Sequence, residues 1–274
     1  MTARALQWTG AVDHATFNTP GNWNDLTNGG AASGTTPVTG DTCNIVDTGD
    51  LINAGLSQSS VVLAALNIGA NYTGQLGPGG SPLIISATML TYLARAAYCA
   101  VTAGSSNITT AIIQGAGTFT ASGGTWTTFS CGPNGVAYLT ASSTIVNYKG
   151  DGGGARADAG TAFTTCKVGA GSLVSARGLG TGYVAGSGTL LQTILAAAST
   201  SIDVLAGARF NINSTGTNAA IEVASGGILD SIGAILPAVV TTLTKRSGSS
   251  CFAREMVTPV IGSTVTLGNT FLGQ

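Results

Sequence analysis

The stretch V-A-G-S-G-T-L, Val184 to Leu190, returns as V-L-A-G-A-R-F at Val204 to Phe210 and as V-A-S-G-G-I-L at Val223 to Leu229, with starts 20 and 19 residues apart. V-G-A-G-S-L-V at Val168 to Val174 stands 16 residues before the first of these, and I-Q-G-A-G-T-F at Ile113 to Phe119 carries the same apolar spacing further upstream. A phrase of apolar residue, glycine-bearing turn and apolar residue, returning at this period, is the signature of stacked coils. In each copy two short strands meet at a corner, where glycine supplies backbone angles closed to its β-branched neighbours. One coil alone buries almost nothing. Stacked coils pair their backbone groups along the axis at roughly 4.8 Å per layer, and their inward Val, Ile, Leu and Phe form a continuous column. The sequence predicts an all-β chain folded as a parallel β-helix, expected to be right-handed, with an amino-terminal cap and a distinct carboxyl-terminal element.

Composition agrees. Of 274 residues 44% are apolar, enough for a substantial core in one elongated domain. Only 8% are charged, against roughly 25% in ordinary globular domains, and 41 residues are glycine. Two Glu (Glu222, Glu255) and three Lys (Lys149, Lys167, Lys245) leave few helix formers. A monomer with so little charge would be poorly soluble and would present sheet edges to other chains, so a homo-oligomer is expected.

Three regions follow: 1–50 as cap and docking segment, 51–233 as β-helix, and 234–274 as a closing or oligomerisation element. In the first, Gly40-Asp41 reads as a turn into a strand at Thr42 to Val46, and Trp8, Phe17 and Trp23 can cover the open end of a solenoid. The same segment carries Asp13, Asp25, Asp41, Asp47 and Asp50 against Arg4 alone, a net charge of −4 with +3 on the remainder. Trp8, Asp13, Phe17, Trp23 and Asp41 are therefore the candidate partner-binding residues, suited to a basic partner. Residues 49 to 150 repeat less regularly. Within them Thr88 to Ala97 allows a short helix, because Met89, Tyr92, Leu93 and Ala96 share a helical face. G-D-G-G-G-A-R-A-D-A-G, Gly150 to Gly160, reads as a protruding loop. From Ile235 the rhythm stops, and Lys245, Arg246, Arg254 and Glu255 gather near Cys251 and Phe252.

Several functional classes find no support. A net charge of −1 without a Lys/Arg stripe argues against nucleic acid. The apolar window Ile84 to Ala103 contains Arg95, the run Ser231 to Leu243 is short and holds Pro237, and neither reads as a membrane span. The start M-T-A-R-A-L-Q-W-T-G lacks the apolar stretch of a secretory signal. Cys43, Cys99, Cys131, Cys166 and Cys251 form no C-x-x-C pair and are expected as buried thiols. No metal or cofactor is expected: the Gly150 segment has no second calcium-binding nonapeptide copy and no G-K-[ST] follows it. Glycosidic hydrolysis needs two facing carboxylates. Asp151 with Asp158, or Asp203 with Glu222, have no motif that sets their separation. Asp203 and Glu222 precede Val204 and Val223 at equivalent places in successive coils and are expected to stack outward as surface. The sole histidine, His14, has no catalytic motif around it, so no catalytic residue is expected.

The opening W-T-G…P-G-N-W-N…P-x-x-G-D-T-x-x-I resembles the segment that leads into β-helices of large bacterial surface proteins and phage structural proteins, and the coils V-L-A-G-A-R-F-N-I and V-A-S-G-G-I-L-D-S-I resemble autotransporter passenger repeats. With its size and absent catalytic motif, the chain most resembles the β-helical cement or decoration proteins of tailed-bacteriophage heads. That resemblance implies a non-enzymatic homotrimer, made in the host cytoplasm and placed on the capsid outer surface of the virion, which clamps neighbouring major capsid subunits and stabilises the head. Its competitors are a trimeric tail fibre or tailspike module binding host-surface polysaccharide, and a β-helical polysaccharide-degrading enzyme.

Overall fold

The computed structural model describes residues 2–140, 142–158, 160–175, 179–192, 198–213, 216–230 and 239–252. Among them the regular structure is β, apart from two 3-10 turns at Pro20–Asn22 and Leu26–Asn28. The chain forms two compact units, residues 1–138 and 139–274, and each is a stack of parallel coils.

In the first unit, strand Ala5–Trp8 pairs in parallel with Thr42–Ile45, which pairs with the end of Ser57–Ile68. The ladder continues through Leu83–Tyr92, Tyr98–Ile113 and Thr125–Cys131. Alternation sends every second side chain inward. The register aligns Leu6, Cys43, Leu66, Leu90, Ala111 and Phe129 in one buried column. A second wall aligns Ile52, Leu76, Cys99 and Phe119. Between them the aromatic rings interlock, Phe119 lying 5.3 Å from Tyr92 and Trp126 5.5 Å from Phe129. Each fully buried Leu, Ile or Phe of these columns contributes about 1.5–3 kcal/mol. On the outer side Asn67 Nδ2 donates to Asn44 Oδ1 at 2.9 Å and Asn44 Nδ2 to the Leu6 carbonyl at 3.0 Å, a short amide ladder that reinforces the stacking.

In the second unit the copies starting at Val184, Val204 and Val223 lie in the register that their spacing predicts, whereas the copy starting at Val168 is shifted by one residue at its far end, where Leu173 and not Val174 meets Leu190. Val168, Val184, Val204 and Val223 follow one another directly, as do Leu173, Leu190, Phe210 and Leu229 on the other wall. At the corner between the walls, Gly186, Gly207, Gly226 and Gly248 all have φ between 57° and 79°. Their backbones stack so closely that Gly207 N donates to Gly226 O at 2.9 Å and Gly226 N to Gly248 O at 3.0 Å. The recurring glycine of the repeat is this corner.

The structure corrects two expectations within the coils. Thr88 to Ala97 is not helical: strand Leu83–Tyr92 runs through its first half and a turn follows. A period of two buries Leu90 and Tyr92 and leaves Met89 and Leu93 exposed. The Tyr92 hydroxyl then ties the turn by donating to the Ala97 carbonyl at 2.7 Å. The Gly150 segment is not a protruding loop. Strand Thr144–Ala157 passes through it and pairs with Ala162–Ser175, with register shifts around Asp151 and Gly154 where the chain turns between walls. Its glycines serve close backbone packing.

The parallel ladder also reaches past the expected boundaries. It includes Ala5–Trp8 and Thr42–Ile45 inside residues 1–50. Val239–Lys245 and Ser250–Phe252 continue it beyond residue 233, and Arg254 and Glu255 lie outside the described residues.

Candidate interaction surface

The amino-terminal segment covers the edge of its first coil. Strand Trp23–Asp25 pairs antiparallel with Ala5–Trp8 and with Ala31–Ala32, turning the exposed ladder edge into a small finished sheet. Trp23 sits between Trp8 and Phe17, each ring 5.1 Å away and edge-on, and all three are buried. The indole nitrogens are also satisfied, Trp23 Nε1 by the Phe17 carbonyl at 2.7 Å and Trp8 Nε1 by Asp50 Oδ2 at 2.9 Å. His14, exposed on this segment, lies 3.2 Å from the other Asp50 oxygen.

Of the five candidate docking residues, the structure therefore places Trp8, Phe17 and Trp23 in the cap core. Asp41 is buried too. It accepts from the Arg4 backbone N–H at 3.1 Å, from Arg4 Nε at 3.2 Å and from Val38 N–H at 2.9 Å, and it forms an ion pair with the Arg4 guanidinium. The Asp41 hydrogen bond holds the Arg4 pKa above its ordinary value. Asp13 alone is exposed; its chain neighbour Val12 is 63% exposed, and Leu26 in the same segment is 47% exposed.

The Asp13 carboxylate is held by its own loop. It accepts from the N–H groups of Ala15 and Thr16 at 3.0 and 2.9 Å and from Asn22 Nδ2 at 2.7 Å, while Val12 N–H donates to the buried Asn22 Oδ1 at 2.9 Å. The Thr16 hydroxyl, those backbone N–H groups and the Asn22 amide stabilise the charged form, so the pKa lies far below the ordinary 3.8. A depressed folded pKa means that the stabilisation from Asp13 is complete above the unfolded value and is lost as pH falls through the folded one. Wild type should lose stability faster than Asp13→Asn as pH falls below 3.8, and urea midpoints measured from pH 6 to pH 2 check this.

A second surface lies on the outer face of the other unit. Immediately before each column residue stands an outward one, and the register stacks Lys149, Lys167, Tyr183, Asp203 and Glu222 on five successive rungs. Asp203 and Glu222 are neighbours, as their equivalent places predict. Lys149, Lys167 and Tyr183 complete the row and were not singled out from the sequence, although the signal was available: each occupies the same offset from its column residue, Gly150, Val168 or Val184. Lys149 Nζ is 3.5 Å from Asp151, Arg246 Nε is 2.8 Å from Glu222, and Lys167 Nζ lies 5.7 Å from the centre of the Tyr183 ring. Burial first, and then Glu222, raise the Asp203 pKa.

Other chemistry is sparse. Asp203 and Glu222 lie side by side on an open sheet face, whereas glycosidic hydrolysis needs carboxylates facing each other across a substrate. An open groove of about 520 Å³ on the first unit is lined by Leu93, Arg95, Gln114, Pro133 and Asn134 together with alanines, without a carboxylate. Trp126, which an exposed position would have suited to stacking on a sugar, is fully buried; Tyr138 and Tyr183 are the exposed large aromatics among the described residues. No group of three or more His, Cys, Asp or Glu is placed to hold a metal ion among the described residues. All five cysteines are free and buried, and burial pushes the thiols of Cys43, Cys99, Cys166 and Cys251 upward in pKa. No helix among the described residues is long and apolar enough to cross a membrane.

No protein-family model, curated protein or solved structure matches this chain.

Proposed function

We propose that this chain is a non-enzymatic structural virion protein, a cement or decoration protein that clamps neighbouring major capsid subunits on the outside of a tailed-phage head. The observation that carries the reading is the division of labour in the first fifty residues. An aromatic cluster and a buried ion pair fix the cap, and a rim of Val12 and Asp13 is left exposed, as is Leu26 elsewhere in the segment. An apolar rim with a rigidly held carboxylate suits a partner with apolar and basic groups. The supporting fold is parallel coils stacked within each unit, and the homotrimer implied by resemblance is the proposed shell-bound form.

Docking then rests on the rim and not on the indoles. Asp41→Asn is a poor probe of docking because it disturbs the cap itself, so Asp13→Asn and Val12→Asp are the informative variants. The test has two readouts: copy number of this protein relative to the major capsid protein in purified particles, and rebinding of the variants to shells stripped of it. A ratio near the number of shell contact sites, with weaker rebinding by both variants, is expected. Unchanged rebinding of both variants and its unchanged salt dependence would reject the rim as the docking surface. Absence from particles would reject the virion reading.

The groove favours a second reading, a tail module that binds host-surface polysaccharide. Arg95 with the Gln114 and Asn134 amides offers donors to an acidic sugar, and Leu93 and Pro133 supply apolar lining. A few copies per particle, together with binding to host polysaccharide, would select it. Release of product from that polysaccharide would select the degrading enzyme instead.

A further inference from the structure

The row Lys149, Lys167, Tyr183, Asp203, Glu222 sets like charges on adjoining rungs twice, a lysine pair below the tyrosine and a carboxylate pair above it. Like charges directly opposite on neighbouring strands destabilise a sheet, and here they are about 4.8 Å apart along the ladder. Relief within the chain reaches the outer members of the row: Lys149 has Asp151 and Glu222 has Arg246. The inner members lack it. Among the described residues Lys167 has a tyrosine ring and no carboxylate, and the Asp203 carboxylate has neither a hydrogen bond nor an ion pair.

The order of signs inverts about Tyr183. A two-fold axis along the strand direction at that rung reverses the order of rungs and keeps each position along the strand. Lysine rungs of one copy then meet carboxylate rungs of the other. We propose that two copies of this chain pair through this sheet face, antiparallel about Tyr183, with Lys167 opposite the partner's Asp203 and Lys149 opposite the partner's Glu222.

Three features make the contact physically reasonable. The flanking outward row is Asn147, Thr165, Thr181, Ser201 and Ala220, short and uncharged, so two sheets can approach to about 10 Å. The side-by-side alternative with coils running the same way opposes Lys167 to Lys167 and Asp203 to Asp203, which selects against it. Tyr183, 38% exposed, sits on the axis and packs against its own copy, as an isologous contact requires. Five rungs by six residues span about 500 Å² per copy, near the lower end of specific interfaces, so the pair should be weak and salt-sensitive. The contact does not depend on the shell reading, and a threefold shell-bound form would use other faces.

Sedimentation equilibrium from 1 to 200 µM protein, at 50 and 500 mM salt, tests it. A dimer at low salt is expected, weakened at least tenfold by 500 mM salt, by Lys167→Asp and by Asp203→Lys, and restored in the variant carrying both reversals. Zero-length carbodiimide cross-linking of mixed isotopic forms of the wild type, read by peptide mass spectrometry, should join Lys167 to the partner's Asp203. This measurement needs no variant to fold. A mass that neither salt nor single reversal changes, whether monomer or trimer, overturns the proposal. So does a folded double reversal that fails to recover the dimer, or an inter-copy cross-link pattern without lysine-to-carboxylate links on this face.

Discussion

Gly171→Ala should destabilise the 139–274 unit by about 2–5 kcal/mol, the sum of about 1–2 for a left-handed non-glycine residue and about 1–3 for forced overpacking. Gly171 has φ +84°, and a Cβ there would fall on the carbonyl oxygen of Gly153 in the adjoining coil. That obstacle is backbone and has no rotamer to yield. Gly153 is itself within the register shift where strand Thr144–Ala157 turns from one wall to the other, so relaxation would have to move a whole coil. Gly79 is the matched control: its φ is +67° and nothing lies within 4 Å of the added Cβ. Gly79→Ala should lose only the conformational part, about 1–2 kcal/mol. Urea denaturation followed by circular dichroism measures both, and equal losses would show that the close approach at Gly153 does not limit packing.

Asp41→Ala should remove about 3–5 kcal/mol, the usual consequence of taking one partner from a buried ion pair. The loss is concentrated because one carboxylate serves several donors: the Arg4 guanidinium, the Arg4 backbone N–H and the Val38 N–H. The remaining guanidinium contacts, to Ser33 Oγ at 3.0 Å, Thr35 Oγ1 at 2.5 Å and the Thr36 carbonyl at 2.9 Å, carry no compensating negative charge. Removing Arg4 as well, in Arg4→Met/Asp41→Ala, should recover part of the loss, since no unpaired guanidinium is then left. Thermal melts of the two variants decide it. A double variant as unstable as the single would mean that the orphaned N–H groups dominate.

The second unit was legible because its coils are short and nearly uniform. The apolar positions of V-A-G-S-G-T-L, V-L-A-G-A-R-F and V-A-S-G-G-I-L lie in the same columns, and the glycine between them is the corner. The first unit was harder for a physical reason. Its coils vary in length, and its strands turn corners without a break, as Ser57–Ile68 does where the register shifts between Gln58 and Val62. Apolar residues near such a corner stop alternating, and at Met89, Tyr92 and Leu93 the remainder imitates a helical face. Cap packing of Trp8, Phe17 and Trp23 follows from aromatic content in a polar segment. That Asp41 is inside and Asp13 outside does not follow, because both are aspartates beside turns and only the fold brings Arg4 to one of them. Stacking of Asp203 on Glu222 was legible from their common offset, and the same offset points to the lysines and tyrosine on the other rungs.

The antiparallel strands at the amino end give the first unit a direction in time. Leu6 finds its parallel partner at Cys43, and the later rungs, Leu66, Leu90, Ala111 and Phe129, follow at intervals of 18 to 24 residues. A chain emerging from the ribosome therefore has its finished end available before most of its coils exist, and each new coil needs only the one already laid down. Deletions from the two sides of this unit should be unequal: losing the last coil shortens the product, and losing the first forty residues removes the template on which the rest are wound.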